Sequence, residues 1–121
     1  MVFGADADRA AQSALRNSVT AAKTIFTDRE TFEDAGAEAL RFAEPSILFS
    51  DDGVSMQPMQ VSVHVVGPNE IRMAAFSPTG LCFAIRDVMG PAVAGGTTFA
   101  AVELDVCRAS GVPDEAYGPR W

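Results

Sequence analysis

One histidine, two cysteines and nine basic residues are all the sequence offers of those types, and each scarcity excludes a class of function. His64 has no second imidazole to share a metal, and the nearby carboxylates stand at no ligand spacing, so a catalytic or metal role for it is disfavoured. Cys82 and Cys107 are too few and too far apart for a structural zinc site, which takes four ligands at short spacings. On number alone they are either two buried thiols or one disulfide. Nine basic residues against sixteen acidic ones leave a net charge of -7, which argues against nucleic acid or anionic lipid as a partner. Long apolar runs are missing too. The uncharged stretches are broken by Pro58, Pro68, Pro91 and Gly95-Gly96 well short of the roughly 20 apolar residues that span a bilayer. Met1-Val2-Phe3-Gly4-Ala5-Asp6 has no basic head, apolar stretch or small-residue cleavage site, so the chain reads as intracellular or as lacking its targeting segment.

What is present fits one globular domain over residues 1–121, since this length holds a single core and only 21% of residues are charged. Alanine-rich, Gly- and Pro-free sequence predicts a long helix over about 6–27. Its apolar stripe is Ala11, Leu15, Val19, Ala22 and Phe26, with Gln12, Arg16, Thr20, Lys23 and Thr27 opposite. Leu15, Val19 and Phe26 form the expected seam to a sheet. Ala10, Ala14 and Ala21 make a shoulder of small residues on which a neighbouring helix could seat. The connection over about 28–59 is acidic and turn-like, with a short helix suggested by Phe32, Ala39, Leu40 and Ala43 and ended by Pro45.

Period-two alternation then predicts strands at 46–50, 60–66, 70–76, 81–88 and 99–107. Short turns at Gly67-Pro68-Asn69 and Ser77-Pro78-Thr79-Gly80 join the last four into a four-stranded antiparallel meander over about 60–107, with a tail over 108–121. The expected inward residues are Val61, Val63 and Val65, then Ile71, Met73 and Ala75, then Leu81, Phe83 and Ile85, and finally Val102, Leu104 and Val106. A last loop centred near Ala94-Gly95 pairs residues whose numbers sum to 189. That register sets Cys82 opposite Cys107 and Arg86 opposite Glu103, a complementary cross-strand charge pair. Directly opposed residues lie within disulfide reach, so the register favours a disulfide and with it an oxidising compartment.

Little in the sequence suggests chemistry. Alternation puts His64 with Ser62 on the polar face of its strand. Asp51-Asp52, Glu33-Asp34 and Asp114-Glu115 are acidic pairs of the kind turns carry, and Asp51-Asp52-Gly53 lacks the rest of a calcium loop. No phosphate loop or nucleophile elbow occurs, so neither catalysis nor a cofactor is expected. Trp121, after Pro119, predicts a tail tied back onto the domain. Charge is uneven: residues 1–27 hold three basic and two acidic groups, whereas 28–121 hold six and fourteen. Arg9, Arg16 and Lys23 recur every seven residues, and could set register against an acidic surface of another copy.

In motif order the chain resembles the type IV pilins and pilin-like proteins of bacteria, particularly the actinobacterial form. Asp8-Arg9-Ala10-Ala11-Gln12-Ser13-Ala14-Leu15-Arg16-Asn17 leading to Ala21-Ala22-Lys23-Thr24 looks like the C-terminal half of the pilin spine helix. Glu44-Pro45-Ser46-Ile47 resembles the entry to the sheet, and Ser77-Pro78-Thr79-Gly80-Leu81-Cys82-Phe83-Ala84-Ile85 the hairpin bearing the first disulfide cysteine, with Cys107 in the second position. The resemblance covers most of the chain from Asp8 to Cys107. It implies an α+β fold and a non-catalytic subunit of a helical surface filament, made as an inner-membrane precursor, cleaved, and polymerised with other pilin subunits at the cell surface. The family's hydrophobic N-terminal helix, cleavage motif and glutamate have no counterpart before Ala5, so the chain is expected to behave as a monomeric ectodomain. A type II secretion pseudopilin is one alternative. Another is an extracellular adhesion module binding through the outer sheet face or the Met89–Gly96 loop.

Overall fold

The computed structural model describes residues 3–90 and 95–121. Helix α1 runs from Phe3 to Arg29 and α2 from Ala37 to Ala43. Five strands follow: β1 (Leu48–Asp51), β2 (Gln60–Gly67), β3 (Glu70–Phe76), β4 (Leu81–Val88) and β5 (Gly96–Glu103). They form one sheet in the order β1-β2-β3-β4-β5, with α1 across one face.

The sheet is therefore five-stranded and mixed, not the four-stranded antiparallel meander expected from the sequence. β2 to β5 are antiparallel neighbours, but β1 joins β2 in parallel, with Phe49 beside Val61. Alternation identified β1 as a strand but carried no information on the direction in which it pairs. The reversal is made by eight residues: Asp52 turns the chain at φ 55, and Ser55 bridges to Cys107 before the chain re-enters at Gln60. Ser55 holds this passage together. Its hydroxyl donates to the Gln57 and Gln60 carbonyls and accepts from the Phe76 N–H. On the outer side of β1, Arg41 of α2 caps the Phe49 carbonyl at 3.1 Å, a charged cover for a short edge strand.

Between the helix and the sheet lies one apolar cluster. Ala11, Ala14, Leu15, Val19 and Ala22 of α1 meet Val61, Val63, Ile71, Met73, Phe83 and Ile85. Each large aliphatic side chain fully withdrawn from water here is worth about 1.5–3 kcal/mol, which is why α1 lies flat on the sheet. Phe26 is only partly buried and packs on Phe32 with ring centroids 4.8 Å apart.

The last hairpin is shifted from its expected register. Every pair sums to 184, so that Cys82 faces Val102, Arg86 faces Thr98 and Glu103 faces Leu81. The predicted Arg86–Glu103 pair does not form. The difference from 189 is odd, so it turns β5 over: Phe99 joins the helix-side core, while Val102 and Leu104 pack on the outer face and Val106 is exposed. The disulfide is nonetheless present, Cys82 to Cys107, with Cα atoms 5.3 Å apart. It forms because β5 ends at Glu103 and the chain then crosses back over the outer face, bringing Cys107 over the sheet.

From Cys107 to Gly118 the chain is a strap on that outer face. Cys107, Ala109 and Val112 cover Ala74, Cys82, Ala84 and Ala100 as a second apolar cluster. The strap is fastened along its length. Ala109 N–H donates to Ser62 Oγ at 3.0 Å, and Ser110 donates its N–H and hydroxyl to the two oxygens of Asp52. Phe99 and Gly118 exchange backbone hydrogen bonds of 2.8 Å, which closes the open edge of β5. Trp121 then returns to the helix side, donates from its indole to the Ala84 carbonyl at 3.0 Å, and packs against Phe99 and Phe83.

Candidate functional site

Two polar clusters and the flanks of α1 are the places where this fold could carry a function. The first cluster stands on the outer sheet face beside the strap. Arg72 of β3 is directly opposite Arg86 of β4, a like-charge pairing that would destabilise the sheet if left alone. Glu70 resolves it: its Oε2 accepts from Arg72 Nε at 2.8 Å and Arg86 Nε at 3.0 Å. Asp114 of the strap takes Arg72 Nη1 at 2.5 Å, and the Arg72 guanidinium lies 5.6 Å from the ring centre of Tyr117. Burial pulls the Arg72 guanidinium down, but the hydrogen bonds it donates to Glu70 and Asp114 more than offset this and its pKa is raised. The hydrogen bond from Arg72, reinforced by its charge, holds the Asp114 carboxyl below its usual range. Burial pushes the Tyr117 phenol up to about 12, and its hydroxyl has no hydrogen-bond partner among the described residues. Two guanidiniums matched by two carboxylates, beside a phenol that stays protonated at neutral pH, make a clamp for the strap.

The second cluster is at the same end of the sheet on the opposite face, under α1. Asp87 follows Leu81, Phe83 and Ile85 in the inward phase of β4 and is 1% exposed. Its Oδ1 accepts from Thr97 at 2.6 Å and lies 3.5 Å from Lys23 Nζ, while its Oδ2 has no partner among the described residues. Asp87 sits in an apolar phase, where the alternation of β4 could have flagged it. Lys23, expected to project as a register charge, instead spends its ammonium on this buried carboxylate.

The other interface residues read from the sequence fall on two sides of α1. Arg16 lies over Trp121, 4.7 Å from the ring centre. Arg9 is exposed and only 3.7 Å from Asp6 of its own helix. In the small-residue shoulder, Ala14 is drawn into the core at 1% exposure, so it offers no surface to a partner; Ala10 and Ala21 are half-buried. Leu15 and Val19 are buried against the sheet. At its N-terminal end α1 is tied down by Asp8, which accepts from the hydroxyls of Ser77 and Thr79 at 2.6 and 2.7 Å. The sequence reading passed over Asp8, because its partners lie about 70 positions away.

His64 is half-buried rather than solvent-facing and is paired in register with Arg72. The acidic pairs hold the fold: Asp51 caps the N-terminus of α2 by accepting from Ala37 N–H at 2.9 Å, Asp52 binds Ser110, and Asp114 binds Arg72. Among the described residues no three His, Cys, Asp or Glu side chains converge as metal ligands. Positions 91–94 of the proposed binding loop lie outside the described residues. No helix among the described residues is long and apolar enough to cross a membrane. Comparison with protein-family models, with curated proteins and with solved structures finds no match.

Proposed function

We propose that the protein is a non-catalytic structural subunit of a type IV pilus or a related surface filament. The observation that carries this reading is the way α1 is held. It is one unbroken helix of 27 residues, docked by a single face and exposed along Ser13, Thr20, Thr24 and Thr27, as a spine helix shared among subunits requires. Two further features support it. The N-terminal part of α1 is fastened through Asp8 to the Ser77-Pro78-Thr79-Gly80 turn, which is one of the segments resembling the pilins. The Cys82–Cys107 disulfide suits an oxidising compartment such as the cell exterior. The reading rests on the helix, the disulfide and the motif order; the mixed sheet adds nothing to it.

In this reading a hydrophobic segment encoded ahead of residue 1 anchors the precursor in the inner membrane and later packs with those of other subunits. The test is immunogold electron microscopy of the native cells with antibody raised against residues 1–121, together with the gene sequence upstream of codon 1. Gold along surface filaments, and about 20 apolar codons upstream, are expected. Labelling confined to non-filamentous secreted protein, in cells whose upstream frame is closed by a stop codon, would overturn the proposal.

A further inference from the structure

Between the last turns of α1 and the short helix α2 lies a cleft of about 820 Å³, and a smaller one of about 300 Å³ continues it along α1. Ile25 and Ala43 line both, so they form one groove. Its floor is apolar, and Phe42 stands at its rim 92% exposed, the most exposed large hydrophobic side chain among the described residues. The walls are acidic. Asp28, Glu33, Asp34 and Glu38 line it, against Arg29 alone, which already lies 3.5 Å from Asp28. The C-terminal carbonyls of α1 add the negative end of a long helix dipole to the same place.

From this geometry we propose that the α1–α2 groove docks a basic amphipathic helix of a partner protein. Apolar residues on one face of that helix would cover Ile25, Ala43 and Phe42, and flanking Lys or Arg side chains would meet the four carboxylates. The α1 wall from Asn17 to Asp28 is about 17 Å long, room for about three helical turns. The other basic side chains of α1 and α2 are distant from the groove or engaged elsewhere. Arg9 is about 28 Å from Asp28 along the same helix, Arg16 is committed to Trp121, Lys23 to Asp87 and Arg41 to the Phe49 carbonyl. A second copy is disfavoured because each carries a net charge of -7. This inference goes beyond the filament reading and does not depend on it.

The test measures fluorescence anisotropy of a labelled twelve-residue Leu/Lys helical peptide with the whole chain, at low and moderate salt. Saturable binding is expected, with amide shifts in NMR confined to α1, α2 and the connection between them. Glu33→Gln/Asp34→Asn/Glu38→Gln should weaken it at least tenfold and flatten its salt dependence. Phe42→Ser should weaken it at least fivefold with the salt dependence unchanged. All four side chains are exposed, so the variants should keep the native circular dichroism. Neutralising Glu103 and Asp105, away from the groove, should change nothing, and a Leu/Glu peptide should not bind. Equal weakening by both sets of neutralised carboxylates, or no effect of Phe42→Ser, would mean non-specific charge attraction and overturn the proposal. So would self-association of the chain that the groove substitutions abolish, since the occupant would then be a second copy.

Discussion

Replacing both cysteines, Cys82→Ala/Cys107→Ala, should cost this domain a large part of its stability. The disulfide closes a loop with a sequence separation of 25, and on the chain-entropy model such a loop is worth about 3.5 kcal/mol. Both half-cystines are buried in the cluster beneath the strap, at 0% and 1% exposure, so losing the sulfur atoms adds about 1 kcal/mol of packing. With an unfolding entropy of roughly 2.1 cal/mol/K per residue, a total of about 4–5 kcal/mol lowers Tm by about 15–20 °C. Thermal unfolding followed by far-UV circular dichroism would measure this, and full reduction of the native chain, which keeps the sulfur atoms and removes only the cross-link, should lower Tm by about 14 °C. The loss should also be local. Amide exchange should accelerate first over Cys107–Gly118 and β5, whose edge the Phe99–Gly118 bridge covers, while α1 and β2 stay protected. A fall of less than about 1.5 kcal/mol would refute the argument. The strap would then be held by Ser110–Asp52, Asp114–Arg72 and its apolar contacts, with the disulfide redundant.

Tyr117 is the sole tyrosine, so its phenolate can be followed by absorbance without interference. Its pKa rises from 10.0 in the unfolded chain to about 12 in the folded one because burial penalises the phenolate. The folded state therefore holds this proton more tightly: the associated stability is complete below pH 10, is lost as pH climbs towards 12, and amounts to about 2–3 kcal/mol. Tyr117→Phe should flatten that part of the alkaline profile; an ordinary tyrosine titration near pH 10 in the folded protein would show the ring to be solvated. For the Lys23–Asp87 pair, Lys23→Met should destabilise by about 1–2 kcal/mol, because it strands a buried carboxylate while removing a partner that is itself 43% exposed. Asp87→Asn should cost measurably less, because it leaves only the half-exposed Lys23 ammonium without its partner, and a double-mutant cycle with no coupling would mean that the two charges do not interact.

Much of the local structure was legible in the sequence. The alanine-rich amphipathic run announced α1, the three-four spacing around Leu40 announced α2, and alternation marked all five strands and the inward residues of β2, β3 and β4, because each of these patterns is set by neighbours a few positions apart. Asp87 was legible too, as a charge in an apolar phase. Pairing was a different matter. Whether β1 runs parallel or antiparallel to β2 depends on the path of the Asp52–Met59 connection, anchored by Ser55 to Phe76 and Cys107, and no local pattern encodes that path.

The disulfide divides the two kinds of knowledge most clearly. Its partners were correctly read, but from a register in which Cys107 belonged to β5 and Arg86 faced Glu103. In the fold the strand stops earlier, an odd shift turns β5 over, and Cys107 reaches Cys82 from the strap. The functional reading of the basic stripe changed for the same reason. A helical wheel places Arg16 and Lys23 on a polar face, yet it cannot know that Trp121 and Asp87 arrive beneath them from distant parts of the chain. The groove beside α2 is likewise a tertiary feature, since Asp51 ties the start of α2 to the end of β1 from 14 positions away. The sequence by itself determined the elements, the buried faces of α1 and of β2 to β4, and the net negative charge, all of which follow from local periodicity and composition. Only the tertiary structure decided strand direction, hairpin register and which charges remain available to a partner, because those depend on contacts between residues tens of positions apart.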